Sequence, residues 1–120
     1  MSTVNSFEDL DIWKGGVKLS IQVYEQLKDC RDFGLRDQLQ RSAISIPSNI
    51  AEGFERQTNK EFVQFLFIAK GSCGELRTQL FIASQINVIK EETANSLIEE
   101  AKIVSAKIYK LIEYRRSLIK

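Results

Sequence analysis

Leu35, Leu39, Ala43, Ile46, Ile50 and Phe54 recur at steps of four, four, three, four and four, and the chain's one proline, Pro47, falls inside that run. The spacing is that of one apolar face of an α-helix. A proline in a helix interior removes a backbone donor and presses its ring on the carbonyl four residues back, at about 3 kcal/mol unless the helix bends. The apolar phase is the same on both sides of Pro47, so the pattern predicts one kinked helix over about residues 35–55. A new helix starting at Pro47, bounded by Ser45 or Ile46, is the alternative. Ser48 and Asn49 are placed to satisfy the carbonyl that Pro47 leaves without a donor. Asn49 with Glu52, neighbours three residues apart, is the competing polar-site reading.

Three more amphipathic segments flank this one. The first five residues are polar and read as a loose lead-in. Ser6 with Asp9 has the form of a capping box, which predicts helix 1 over about 9–29, with Leu10, Trp13, Val17, Ile21, Tyr24 and Leu27 on its stripe. Ile12, Leu19 and Val23 lie off that stripe and widen the apolar face. Asp29 to Gly34 is a polar turn in which Gly34 supplies conformational freedom, and Gly53 is positioned to end helix 2.

Thr58 with Glu61 is a second capping box, which predicts helix 3 over about 59–86. Its core stripe is Phe62, Phe65 or Leu66, Ala69, Ser72 or Cys73, Leu76, Leu80 and Ala83; Val63, Phe67, Gly74 and Phe81 form a neighbouring face. The small residues Ala69, Gly71, Ser72, Cys73 and Gly74 predict a close approach to the equally small middle of helix 2, because glycine in a helix costs about 1 kcal/mol and needs a packing reason. Helix 4, about 91–118, carries Ala94, Leu97, Ala101, Val104, Ile108, Leu111 and Leu118 at heptad spacing, interrupted by Arg115. Its length of roughly 40 Å predicts an end projecting beyond its neighbours. Four such helices joined by short turns predict an all-α, antiparallel up-down-up-down bundle forming a single domain.

The chain has 120 residues and a formal net charge of +1, so overall electrostatics does not direct it to nucleic acid or membrane, and such a partner must be met by a local patch. There is no histidine, the commonest general base and metal ligand. No nucleophile elbow, phosphate-binding glycine loop or metal-site cysteine spacing is present. The reading is a non-enzymatic protein with no cofactor and no metal. Cys30 and Cys73 are too few for a disulfide framework and nothing resembles a signal peptide, so a reducing cytoplasm is expected. No apolar run is long enough to span a bilayer. Cys73 reads as a core residue, and Cys30 sits near a turn.

The string from Phe33 to Arg56, FGLRDQLQRSAISIPSNIAEGFER, resembles the signature of small four-helix-bundle proteins encoded in intervening sequences of bacterial 23S ribosomal RNA genes. Phe7, Asp9, Leu10 and Trp13 resemble that family's opening. Glu61, Phe62, Phe65, Leu66, Ala69, Gly71, Ser72, Glu75, Leu76, Gln79 and Leu80 resemble its third helix. The likeness covers about residues 7 to 86, and the last helix matches in length and periodicity. Accessory proteins of diversity-generating retroelements belong to the same broader group, so the resemblance also admits a scaffold that docks a reverse transcriptase.

Two surfaces stand out as candidate sites. Lys102, Lys107, Lys110, Arg115, Arg116 and Lys120 make the final turns basic, with Glu113 as their one counter-charge, and suit either the helix C-terminus or phosphates of RNA or DNA. Val63, Phe67 and Phe81 are the candidate interface for self-association; the other explanation of a wide apolar face is contact with two helices of the same bundle. The resemblance implies a ring-like homopentamer, which would gather the basic ends on one rim.

Overall fold

The structure, a computed structural model, describes residues 4–120, so the expected lead-in falls partly outside the described residues. A 3-10 turn at Phe7–Asp9 precedes four helices: α1 Asp11–Gln26, α2 Phe33–Phe54, α3 Asn59–Gln85 and α4 Glu91–Ser117. Among the described residues there is no strand. The Ser6–Asp9 box is formed, with Asp9 Oδ2 accepting from the Asn5 and Ser6 amides at 2.9 and 3.2 Å. It caps the 3-10 turn rather than α1, because extended Leu10 intervenes; α1 is therefore shorter at both ends than the expected 9–29.

The other helix ends have identifiable chemistry. Asp32 Oδ1 accepts from the Leu35 amide at 3.1 Å, which starts α2 at Phe33 and draws Gly34 into the first turn instead of the preceding loop. Thr58 Oγ1 accepts from the Glu61 amide at 3.1 Å and starts α3 at Asn59. Asn87, at φ 62°, closes α3: the Val88 amide turns back to the Ala83 carbonyl at 2.9 Å. That is the left-handed helix stop for which asparagine is the usual substitute for glycine.

α2 passes unbroken through Pro47, and neighbouring side chains explain why the proline is tolerated. Pro47 is buried against α1 at Gly16, where an added Cβ would lie 3.1 Å from the Pro47 Cδ. The next residue along, Gly15, faces Val104 of α4 with an equivalent 3.1 Å approach, so this glycine pair brings α1 close to both neighbours. Asn49 Nδ2 donates to the Ser45 carbonyl at 2.8 Å and the Ser45 Oγ at 2.9 Å. The side chain thus supports the carbonyl two residues beyond Ala43, not the one that Pro47 orphans, and Ser48 faces solvent.

Cross-helix contacts fix the directions. Between α2 and α3, Ser42 bonds Gln79, Ser45 bonds Ser72 at 2.8 Å, and Gly53 abuts Phe62 and Phe65, so one number falls as the other rises. The same reversal relates Asn59 and Lys70 of α3 to Arg115 and Tyr109 of α4. Gly15 meets Val104, while Gln22 and Glu25 share a hollow with Glu92 and Ser96, so α1 and α4 also run opposite ways. The bundle is up-down-up-down, with α1 and α3 diagonal. Gly53 does not end α2 by backbone freedom: its φ is not positive, and a Cβ there would sit 2.6 Å from the Phe65 Cβ.

The core contains the expected α3 stripe, with Leu66 rather than Phe65 and with both Ser72 and Cys73 buried. On α1 the expectation inverts. Ile12, Leu19 and Val23 join Leu27 in the core, whereas Ile21 and Tyr24 are 55% and 43% exposed. α4 buries Ile112 in place of the heptad's Leu111 and exposes Leu118. Its end does not project alone, because α3 is equally long, 27 residues each, and Asn59 at the head of α3 meets Arg115.

Candidate functional site

The outward side of α3 carries several exposed apolar residues, interrupted by exposed Gln64, Glu75, Thr78 and Gln85. Phe67 and Phe81 are 42% and 57% exposed, and Ile68, Ile82 and Ile86 are exposed beside them. Between the two phenylalanines lie Gly71 and Gly74, and a Cβ built on either would meet nothing within 4 Å. The expected close approach to α2 is therefore made by Ala69, Ser72 and Cys73 on the inner face, and the two glycines have no neighbour in the chain that needs their smallness. Val63, expected on the outer face, is 7% exposed and belongs to the core, because the α3 arc that meets α4 includes it.

Five of the six basic positions lie on α4, dispersed over its circumference, and Lys120 follows the helix end. Arg115 turns inward: its Nη1 donates to Asn59 Oδ1 at 2.9 Å and its guanidinium lies 5.0 Å from the centre of the Phe62 ring. It fills the heptad slot that a leucine would occupy and pins the α4 end to the α2–α3 turn. Arg116 lies 5.5 Å from the centre of the Phe67 ring. Lys102 pairs with Glu99 at 3.4 Å. Lys107 borders a hollow with Asp11, Lys18 and Glu100 on the α1 side. Lys110 and Lys120 are exposed, and neither makes an ion pair among the described residues.

Several of the remaining polar groups have local partners, whereas the buried Gln22 Oε1, Arg77 Nε and Arg115 Nε have none among the described residues. Asn49 is engaged by Ser45, and Glu52 pairs with Arg56 at 3.1 Å, so the two do not form a joint site. The Cys30 thiol donates to the Asp32 carbonyl at 3.5 Å. Burial pushes the Cys73 thiol up to about 11, with the nearby Arg77 and Lys70 cations offsetting part of that effect, so the thiol is neutral near pH 7. Backbone amides of Asn5 and Ser6 hold the Asp9 carboxyl below its usual range. Among the described residues no cluster of three or more His, Cys, Asp or Glu side chains is arranged to hold a metal ion, and no helix is long and apolar enough to cross a membrane. Two features were hidden from sequence reasoning: the outward aim of Gly71, which joins Gly74 beside Phe67 and Phe81, and the partial exposure of the Trp13, Val17, Ile21 and Tyr24 stripe. The combination of helix-disfavouring glycines with flanking phenylalanines was the available signal for the first.

The family model for the 23S rRNA-intervening sequence protein matches residues 8–110. A crystal structure of a protein with unknown function from the S23 ribosomal protein family of Bacteroides thetaiotaomicron is similar in fold, with a TM-score of 0.79 at 21% identity, over 84% of this chain and 97% of that one. Among curated proteins, none matches the chain.

Proposed function

The chain belongs to the 23S rRNA-intervening sequence protein family, and on that premise we propose that it is a non-catalytic helical bundle that associates with copies of itself and carries nucleic acid on basic surfaces. The observation that carries this reading is the outward side of α3. Two glycines at about 1 kcal/mol each weaken a helix that has no internal use for them, and exposed Phe67, Ile68, Phe81 and Ile82 surround them. A second copy seated there accounts for both. Exposed Lys107, Lys110 and Lys120 then recur in every copy, and weak phosphate contacts multiply when several chains present them together. Free Cys30 and Cys73 accord with a cytoplasmic location.

Light scattering on the wild type and on Phe67→Glu with Phe81→Glu tests the association. The wild type is expected at a multiple of 13.8 kDa and the variant at that mass; a monomeric wild type refutes self-association. Binding to RNA across a salt series tests the second half: affinity that falls steeply with salt supports phosphate contacts, and salt-insensitive or absent binding supports a protein-docking scaffold instead.

A further inference from the structure

Between α3 and α4 lies a hollow of about 340 Å³ lined by Lys70, Arg77, Lys102, Ser105, Ala106 and Tyr109. Lys70 and Arg77 stand two helical turns apart on α3, and Lys102 reaches the same hollow from α4. Beneath them is the buried Cys73, whose thiol is influenced by both α3 cations. Lys70 and Arg77 have no ion-pair partner among the described residues, and Glu99, 3.4 Å from Lys102, is the one acid paired with any of the three. Ser105 and Ala106 keep the α4 wall low. Three cations from two helices therefore line one shallow, open depression, while the molecule as a whole is nearly neutral.

Two further details narrow the ligand. The Arg77 Nε is buried without a hydrogen-bond partner among the described residues, which leaves the other guanidinium donors to meet an anion. Tyr109 is 42% exposed and Lys70 Nζ lies 5.8 Å from its ring centre, which puts an aromatic face and a cation at the same edge. Phosphate-binding cations beside an accessible ring are what a protein uses to hold a nucleic-acid strand whose bases are free to stack. Bases inside a duplex are already stacked and cannot reach such a ring without being extruded.

We infer that this hollow binds single-stranded nucleic acid, its phosphates on Lys70, Arg77 and Lys102 and an unpaired base against Tyr109. The inference rests on the nucleic-acid half of the proposed function and moves the principal contact from the outer rim of α4 to the groove it forms with α3. The hollow lies on the α4 side of α3, beside the glycine-bearing outward face.

The test is fluorescence anisotropy of the full chain with a labelled 12-nucleotide oligouridine, the matching oligothymidine and a blunt RNA duplex, from 50 to 300 mM salt. The wild type is expected to prefer the single strands, and comparison of RNA with DNA identifies which strand it takes. Lys70→Gln with Arg77→Gln should weaken binding at least tenfold and lower the log–log salt slope by about 1.4, since each single-strand phosphate contact contributes about 0.7. Tyr109→Leu should weaken binding about fivefold or more with the slope unchanged. Lys14→Gln with Lys28→Gln, exposed on the α1 side away from the hollow, should change affinity less than twofold. Circular dichroism checks each fold, and Lys70→Gln with Lys102→Gln replaces the Arg77 variant if that one unfolds. Wild-type binding that is lost with Lys107 and Lys110 but kept with Lys70 and Arg77 changed overturns this inference and leaves the broader reading standing. Duplex preference with Tyr109→Leu silent overturns the single-strand assignment. Absence of any binding by the wild type overturns both.

Discussion

Replacing Gly71 and Gly74 together by alanine should make the isolated chain more stable while loosening its assembly. Alanine is about 1 kcal/mol better than glycine in a helix interior, and at both positions the new methyl group meets nothing within 4 Å. No clash subtracts from the gain, so the double variant should unfold about 2 kcal/mol later, roughly 6–10 °C for a domain of this size. The matching control is Gly53→Ala. There the Cβ would lie 2.6 Å from the Phe65 Cβ and 2.9 Å from the Phe62 Cδ1, both parts of the packed α2–α3 contact, and the expected cost is about 1–3 kcal/mol. Urea unfolding followed by circular dichroism, at concentrations low enough that the midpoint no longer depends on dilution, reads both numbers. At higher concentration the gain should shrink or reverse, because the methyl groups hold a second copy away. A double variant that is less stable than wild type in the dilute limit would falsify the claim that these glycines face solvent in the single chain. A gain that is the same at every concentration would remove them from the interface.

Two other perturbations separate structural from binding roles. Arg115→Ala loses the 2.9 Å bond to Asn59 and the contact with Phe62, and should cost about 1–2 kcal/mol in thermal or chemical unfolding while leaving RNA affinity within twofold; a large affinity loss at unchanged stability contradicts its structural placement. Cys73 should resist alkylation in the folded protein at pH 8 while Cys30 reacts, as mass spectrometry of each peptide would show. Because the folded Cys73 pKa is raised from 9.0 to about 11, its contribution to stability is complete below pH 9 and declines as pH rises from 9 to 11, where the unfolded thiol ionises first. Cys73→Ala should flatten that decline, and an unchanged alkaline limb would argue against it.

Local pattern carried the architecture a long way. Periods of three and four residues marked four helices, and the Thr58–Glu61 cap marked where α3 starts, because helix registry and capping depend on residues within one or two turns of each other. The Phe33–Arg56 string was enough to suggest the family that the model over residues 8–110 then matched.

Rotation about each helix axis was a different matter. α1 carries apolar residues over so much of its circumference that either arc could have been the core face, and the choice of Ile12, Leu19 and Val23 follows from the Gly15–Gly16 edge seating against Val104 and Pro47. Likewise, the spacing that set Gly74 beside Phe67 and Phe81 left Gly71 unassigned between α2 and solvent, and none within α4 shows that Arg115 meets Asn59. The same holds for Lys70, Arg77, Lys102 and Tyr109, which are up to 39 residues apart and become one surface when α3 and α4 pack antiparallel. Helix identity is written in short-range periodicity, so the sequence by itself determined it. Which side each helix turns to its neighbours is a property of pairs of helices, and only their packing decided it.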